Sequence, residues 1–142
     1  MELPGANGHA QMRGRTIEWQ GPTALLIDGD AALLAIAFNN LIDNALKYSP
    51  ASSAVEISLR HNQETTEVRV RDFGPGVAST ERELIFERYY RAATALRQPG
   101  VGLGLYVVKQ LIELHHGKLE LADGVGIGAC FVITLPLRSR EA

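Results

Sequence analysis

The amino-acid sequence predicts an α+β fold, and three observations carry that prediction. From Ala31 to Tyr48 apolar residues return at helical spacing, with Leu34, Phe38, Leu41 and Ala45 along one side. Val55, Ile57 and Leu59, then Val68 and Val70, alternate with polar residues on either side of a polar turn, the pattern of an antiparallel hairpin. After Gly104 a second helical run leads into two more strand-like segments, Lys118 to Leu121 and Ala129 to Leu137.

A chain of 142 residues suits one domain around one core. Its apolar fraction of 46% and charged fraction of 21% are those of an ordinary globular domain. The net charge of −2 creates no field that would draw the chain to nucleic acid or to an anionic membrane. No apolar run approaches the ~20 residues that span a bilayer, and no signal peptide is visible. Cys130 is the single cysteine, so no internal disulfide forms; a buried thiol in a reducing, cytoplasmic setting is expected.

Taken in order, residues 1–14 hold Pro, Gly, Asn and His9 without apolar period and read as a linker outside the fold. Thr16 to Gln20 alternates as a half-buried strand, Gly21-Pro22 turns, and Ala24 to Ile27 reads as a second short strand. Asp30 is placed to cap the long helix, and Ser49-Pro50 ends it, because the residue before proline is driven out of the helical region. His61 falls in the polar hairpin turn. The second hairpin strand runs into Asp72-Phe-Gly74-Pro-Gly76, where the glycines allow a tight turn. Ser79 to Arg88 carries a capping pattern ahead of Leu84, Ile85 and Phe86 and reads as a short helix. Arg88 to Pro99 is polar and aperiodic. The helix that follows closes with His115, His116 and Gly117, the glycine at the C′ position and the histidines as cations at the helix end. Gly124-Val-Gly126-Ile-Gly128 joins the last two strands, and Arg138 to Glu141 mark the end of the domain, with 139–142 as a tail.

Two features point to ligand chemistry. Asn40, Asn44 and Lys47 fall within roughly a sixth of a turn of one another on the long helix. Amide oxygens suit a hard cation and an ammonium suits phosphate; a merely solvated face is the alternative. Gly100-Val-Gly102-Leu-Gly104-Leu105 opens onto a helix N-terminus, where free N–H groups and the dipole favour an anion; glycines for close helix packing are the alternative. The spacing Gly-x-Gly-x-Gly, with no strand before it and no Gly-Lys-Ser/Thr after it, excludes both a Rossmann fingerprint and a Walker A loop.

In this order, four segments resemble the ATP-binding catalytic domain of sensor histidine kinases. They are Asn40-Leu-Ile-Asp-Asn44-Ala-Leu-Lys47-Tyr48 (the N box), Asp72-Phe-Gly74-Pro-Gly76 (a glycine box), Ile85-Phe86-Glu87-Arg88-Tyr89-Tyr90-Arg91 (the F box) and Gly100-Val-Gly102-Leu-Gly104-Leu105 (a second glycine box). Gly126-Ile-Gly128 before Phe131 resembles the last glycine box. The resemblance covers 15–138 and implies a two-layer α/β sandwich of the Bergerat type, its mixed, mostly antiparallel sheet packed against helices, with ATP and Mg²⁺ bound under a lid on the helical side. It implies Asn44 as the Mg²⁺ ligand, Asn40 beside the same polyphosphate, Lys47 on phosphate and Tyr48 against adenine. Asp72 would accept the adenine amino group, with Gly74 and Gly76 allowing close approach. Phe86 would anchor the lid, Arg91 and Arg97 would lie near its ends, and Gly100, Gly102, Leu103, Gly104 and Leu105 would cradle phosphates. The sequence departs from the family pattern at Pro99, Val101 and Ala129.

ATPases of the same fold usually place a Glu four residues before the metal-binding Asn; here that position is Asn40, an amide without useful basicity. Phosphoryl transfer to a protein histidine is therefore expected rather than hydrolysis, with no side chain of this chain acting as acid or base. None of His9, His61, His115 or His116 lies in a phosphoacceptor segment. The resemblance thus implies the catalytic domain of a longer two-component kinase anchored in the inner membrane. It would be monomeric alone and unable to phosphorylate itself, acting on the histidine of a separate dimerisation domain and, through it, on a response regulator. A nucleotide-binding regulatory module without catalysis and a same-fold ATPase are the competing expectations.

Overall fold

The computed structural model describes residues 11–12, 15–21, 29–50, 52–87, 104–122 and 128–136. In chain order these form β1 (Gln11–Met12), β2 (Arg15–Gln20), α1 (Ala31–Tyr48), β3 (Val55–His61), β4 (Thr65–Arg71), α2 (Gly104–Leu114), β5 (Lys118–Leu121) and β6 (Cys130–Pro136). Two 3₁₀ turns, Ser79–Glu81 and Leu84–Phe86, lie between β4 and α2. The strands make one sheet in the order β1-β2-β3-β4-β6-β5. Only β2 and β3 run parallel, with Ile17 opposite Val55, and α1 is the crossover between them. Every other pairing is antiparallel, so the sheet is mixed and mostly antiparallel as expected.

The two-residue alternation decides which face is covered. Val55, Ile57, Leu59, Val68, Val70, Phe131, Ile133 and Leu135 are buried in one core with Leu34, Phe38, Leu41, Ile42 and Ala45 of α1 and Val108 and Ile112 of α2. Each of these side chains larger than alanine contributes roughly 1.5–3 kcal/mol on full burial. Helices thus cover one face of the sheet, the second layer of the sandwich. On the other face Glu67 meets Arg60 at 3.2 Å and Arg69 at 2.9 Å. The Arg69 hydrogen bond, aided by the field of both arginines and opposed by burial, lowers the Glu67 carboxyl below its ordinary value. Cys130 and Val132 are also buried, so β6 is enclosed on both faces, and that burial raises the Cys130 thiol.

Most of the expected elements form where the pattern places them. The long helix spans Ala31–Tyr48, capped by Asp30, whose carboxylate accepts from the N–H groups of Ala32 and Leu33. Four expectations change. Gln11–Met12, read as linker, pairs with β2 as a short edge strand. The segment after Ser79 forms two 3₁₀ turns with no side-chain cap, not an α-helix. It is too short to nucleate a helix alone and is held from outside, by buried Ile85, by Phe86 against Phe131, and by Arg82 donating to the Leu121 carbonyl at 2.6 Å. At the end of α2 the left-handed residue is His116 (φ 63°), not Gly117. The Gly117 N–H reaches Ile112 O and the His116 N–H reaches Glu113 O, the paired bonds of a Schellman cap. The fourth change concerns His115. Its Nδ1 lies 2.8 Å from the Leu111 carbonyl and its Nε2 accepts the Asp30 N–H at 3.0 Å. Those partners make His115 a bridge between the two helices rather than a free group at the helix end. The expected strand Ala24 to Ile27 lies outside the described residues.

Candidate functional site

The last two turns of α1 carry the polar stripe. Asn40 is half-buried, and its Nδ2 donates to the Ile36 carbonyl one turn back at 2.9 Å. That bond commits the amide nitrogen and leaves the oxygen without a partner among the described residues. Asn44 is half-buried and has no hydrogen-bond partner among the described residues. Lys47 is exposed in the last turn, where its charge complements the negative end of the helix dipole. Tyr48, half-buried, ends the helix. Among the described residues no cluster of His, Cys, Asp and Glu could hold a metal alone. The amide oxygens of Asn40 and Asn44 fit Mg²⁺ better than Zn²⁺, since Mg²⁺ takes few protein oxygens and fills the rest of its shell with water and phosphate.

Asp72 follows β4 directly and is 4% exposed. Its Oδ1 accepts from Gly74 N–H at 2.9 Å and from Ala129 N–H at 3.2 Å. Its own N–H donates to the Ala129 carbonyl at 2.9 Å. No bond among the described residues goes to Oδ2. One oxygen is therefore committed to holding the carboxylate still, and the other is available to a ligand donor. Burial pushes the Asp72 carboxyl above its ordinary value, against the opposing pull of the Gly74 and Ala129 N–H groups and the charge of Arg71.

Backbone contacts explain the glycines around it. A Cβ on Gly74 would run into the Tyr48 carbonyl, so the Asp72 loop and the end of α1 are in direct backbone contact. Gly128, at φ 84°, packs its Cα against the Asp72 carbonyl, which no larger residue could do. Gly76 is also left-handed and stacks on Gly128.

On the other side, Phe86 meets Phe131 edge to face at 6.2 Å, which anchors it to the core. Gly104 begins α2, and a Cβ there would meet nothing within 4 Å among the described residues, so packing against them does not require glycine. Leu105 packs partly buried against the core. The two helices pack side by side, and since His115 joins the end of α2 to the start of α1, α2 runs back along α1. At ~1.5 Å per residue this brings its N-terminus roughly level with Asn40. Arg91, Arg97, Gly100, Gly102 and Leu103 lie outside the described residues.

The structure thus sets Tyr48, at the end of the helix that carries Asn40 and Asn44, against the loop of Asp72, Gly74 and Gly76. It adds two contacts that the sequence did not single out. The Ala129 backbone both donates to and accepts from Asp72, and no side-chain pattern announces a backbone contact. Ser49, which the sequence reads only as the end of a helix, accepts the Phe73 N–H through its buried hydroxyl at 2.9 Å.

A two-layer sandwich with a buried carboxylate at the end of β4 and an amide stripe on α1 fits an ATPase-type domain. Residues 29–139 match the model of the family "Histidine kinase-, DNA gyrase B-, and HSP90-like ATPase", and the chain belongs to that family. Within it the chain stands with the ATP-binding domains of sensor histidine kinases. It is 44% identical over 110 residues to the signal transduction histidine-protein kinase/phosphatase MprB of Mycobacterium leprae, covering 77% of this chain and 20% of that protein. A solved mycobacterial sensor histidine kinase MprB superposes with a TM-score of 0.74 at 35% identity, covering 86% of this chain and 84% of that one. Full-length ShkA in complex with AMPPNP gives a TM-score of 0.72 at 28% identity, covering 89% of this chain and 26% of that one. The chain spans about a fifth of the length of the curated relatives it matches. Among the described residues no helix is long and apolar enough to cross a membrane.

Proposed function

We propose that this domain binds ATP with Mg²⁺ and donates the γ-phosphate to a histidine on a separate domain of a two-component sensor kinase. The observation that carries the reading is Asn40. Asn40, on α1, is an amide whose nitrogen is occupied by the Ile36 carbonyl one turn back. An amide oxygen can orient a cation or a phosphate, but it cannot take a proton from water. Hydrolysis is thereby disfavoured relative to transfer.

Each remaining residue positions or neutralises. Asp72 Oδ2 accepts the exocyclic amine of adenine; guanine, with a carbonyl at that place, is rejected because two acceptors would face each other. Tyr48 lines the base, and Gly74 and Gly76 let it approach. Asn44 gives its oxygen to Mg²⁺, Asn40 supports the same region, and Lys47 contacts phosphate. Mg²⁺, when bound, screens the charge of the polyphosphate. Gly104, with Gly100, Gly102, Leu103 and Leu105, cradles phosphate at the N-terminus of α2. Phe86 anchors the lid that Arg91 and Arg97 border. Such in-line transfer asks for positioning and charge neutralisation rather than proton transfer by this chain, the acceptor histidine being its own nucleophile. The domain would form part of a membrane-anchored kinase and sit on its cytoplasmic side.

The test is to mix the domain with a histidine-bearing helical hairpin from a candidate parent kinase and γ-labelled Mg-ATP. Acid-labile, base-stable label on the hairpin, and none on the domain alone, is expected. ATP binding without any transfer would favour a regulatory nucleotide-binding module instead. Rapid release of free phosphate without the hairpin would point to an ATPase.

A further inference from the structure

The base-side and phosphate-side halves of this site lie on different elements, and their relative position must be fixed for one nucleotide to reach both. Asp72 sits at the end of β4, while Asn40, Asn44 and Lys47 sit on α1. Where the two meet, α1 ends at Tyr48 and Ser49 is its C-cap, extended at φ −73° and ψ 142°. The Ser49 N–H closes the last helical turn on Ala45 O at 3.0 Å. Ser49 is 6% exposed, and its Oγ accepts the Phe73 N–H at 2.9 Å. Phe73 is the residue between Asp72, whose Oδ1 takes the Gly74 N–H, and Gly74 itself, which presses on the Tyr48 carbonyl.

From this geometry we infer that Ser49 is a positioning residue for base recognition. It sets the register between the end of α1 and the Asp72 loop, and so aims Asp72 Oδ2 at the base. The inference rests on the reading of Asp72 as the adenine acceptor. The Phe73 N–H is satisfied from the C-cap of α1, whereas the Gly74 and Ala129 N–H groups go to Asp72. With the hydroxyl removed, that partly buried donor loses its acceptor, and the carboxylate of the adjacent Asp72 is a strong acceptor for which it can compete. A carboxylate turned to satisfy Phe73 no longer offers a fixed oxygen to a ligand. Ser49 therefore acts on the base through Asp72 and needs no contact with the nucleotide.

The test is a double-mutant cycle on the domain, with ATP and GTP titrated separately by calorimetry in the presence of Mg²⁺. Asp72→Asn keeps an acceptor for Gly74 and Ala129 but replaces Oδ2 by a donor, and should collapse the preference for ATP over GTP. Ser49→Ala should weaken ATP binding about tenfold, as the loss of one partly buried hydrogen bond allows, while GTP binding changes little. In the Asp72→Asn background, Ser49→Ala should cause little further loss of preference. Ser49→Thr keeps the hydroxyl and should restore the wild-type ratio, which separates aiming from a general loss of folding. Should Asp72→Asn leave the ATP preference intact, the reading of Asp72 itself falls. A collapse on Asp72→Asn with no change on Ser49→Ala, or with equal losses for ATP and GTP, would overturn the role of Ser49 alone. A thermal melt of each variant identifies any that fails to fold, in which case the Ser49→Thr ratio decides.

Discussion

His115 and Asp30 are 85 residues apart in sequence, yet the His115 imidazole accepts the Asp30 backbone N–H at 3.0 Å. The bond joins the last turn of α2 to the N-cap of α1. It satisfies a donor that the helix start cannot pair internally, while the other ring nitrogen reaches the Leu111 carbonyl. Replacing His115 by Ala should cost about 1 kcal/mol, since the bridge is partly exposed and water can substitute. A lowered urea midpoint with an unchanged slope would report it; an unchanged midpoint would show that the bridge contributes nothing to stability.

The buried Asp72 makes a pH-dependent prediction. Burial raises its carboxyl in the folded state, so the folded chain holds this proton more tightly than the unfolded one. Its contribution to stability is therefore greatest below the ordinary Asp value and declines as pH rises toward and through the raised value. Base recognition runs the other way, because a protonated Oδ2 would present a hydrogen to the adenine amine. The ATP-to-GTP affinity ratio should fall as pH drops through the raised value, and Asp72→Asn should abolish that dependence. Taking the ratio cancels the titration of the nucleotide phosphates, which is alike for both.

Two glycines should behave oppositely on substitution by Ala. Gly74→Ala drives a methyl into the Tyr48 carbonyl, a contact between two backbones that cannot yield, and should destabilise by about 1–3 kcal/mol or more. Gly104→Ala meets no atom within 4 Å among the described residues and should leave the melting temperature unchanged or slightly raised, alanine being the better helix former. Its methyl would nevertheless stand at the N-terminus of α2, and ATP affinity should fall. Thermal melts paired with nucleotide titrations check both.

Asn44 has no hydrogen-bond partner among the described residues, so its removal should not disturb the fold. Asn44→Ala should weaken ATP binding at least about tenfold in Mg²⁺, the effect expected from losing a charge-assisted ligand, and should change it little in EDTA. Equal losses under both conditions would argue against a metal-binding role.

Much of the fold was legible because its signals are periodic. Leu34, Phe38, Leu41 and Ala45 announce a helix, and Val55, Ile57 and Leu59 a strand, since a covered face needs apolar residues at the spacing of the element. Asp30 and Pro50 mark the helix ends by local chemistry alone. The short segments were less legible. Ser79 to Phe86 carries helix-start residues but takes its shape from Phe131 and Leu121, which are distant in sequence. The left-handed residue of the α2 cap was assigned to Gly117, where glycine is the usual choice, and belongs to His116.

The sequence by itself determined the elements, the two-layer class and the membership that the spaced motifs carry, because these depend on side-chain period and on residue type. Tertiary structure alone decided how the site is held. The Ser49 hydroxyl on Phe73, the Ala129 backbone on Asp72 and the Gly128 backbone against the Asp72 carbonyl are contacts across 24, 57 and 56 positions. They involve main-chain groups that every residue possesses, so no residue pattern can encode which of them will meet. The parallel pairing of β2 with β3 and the bridge from His115 to Asp30 have the same origin: they exist only once the chain has folded back on itself.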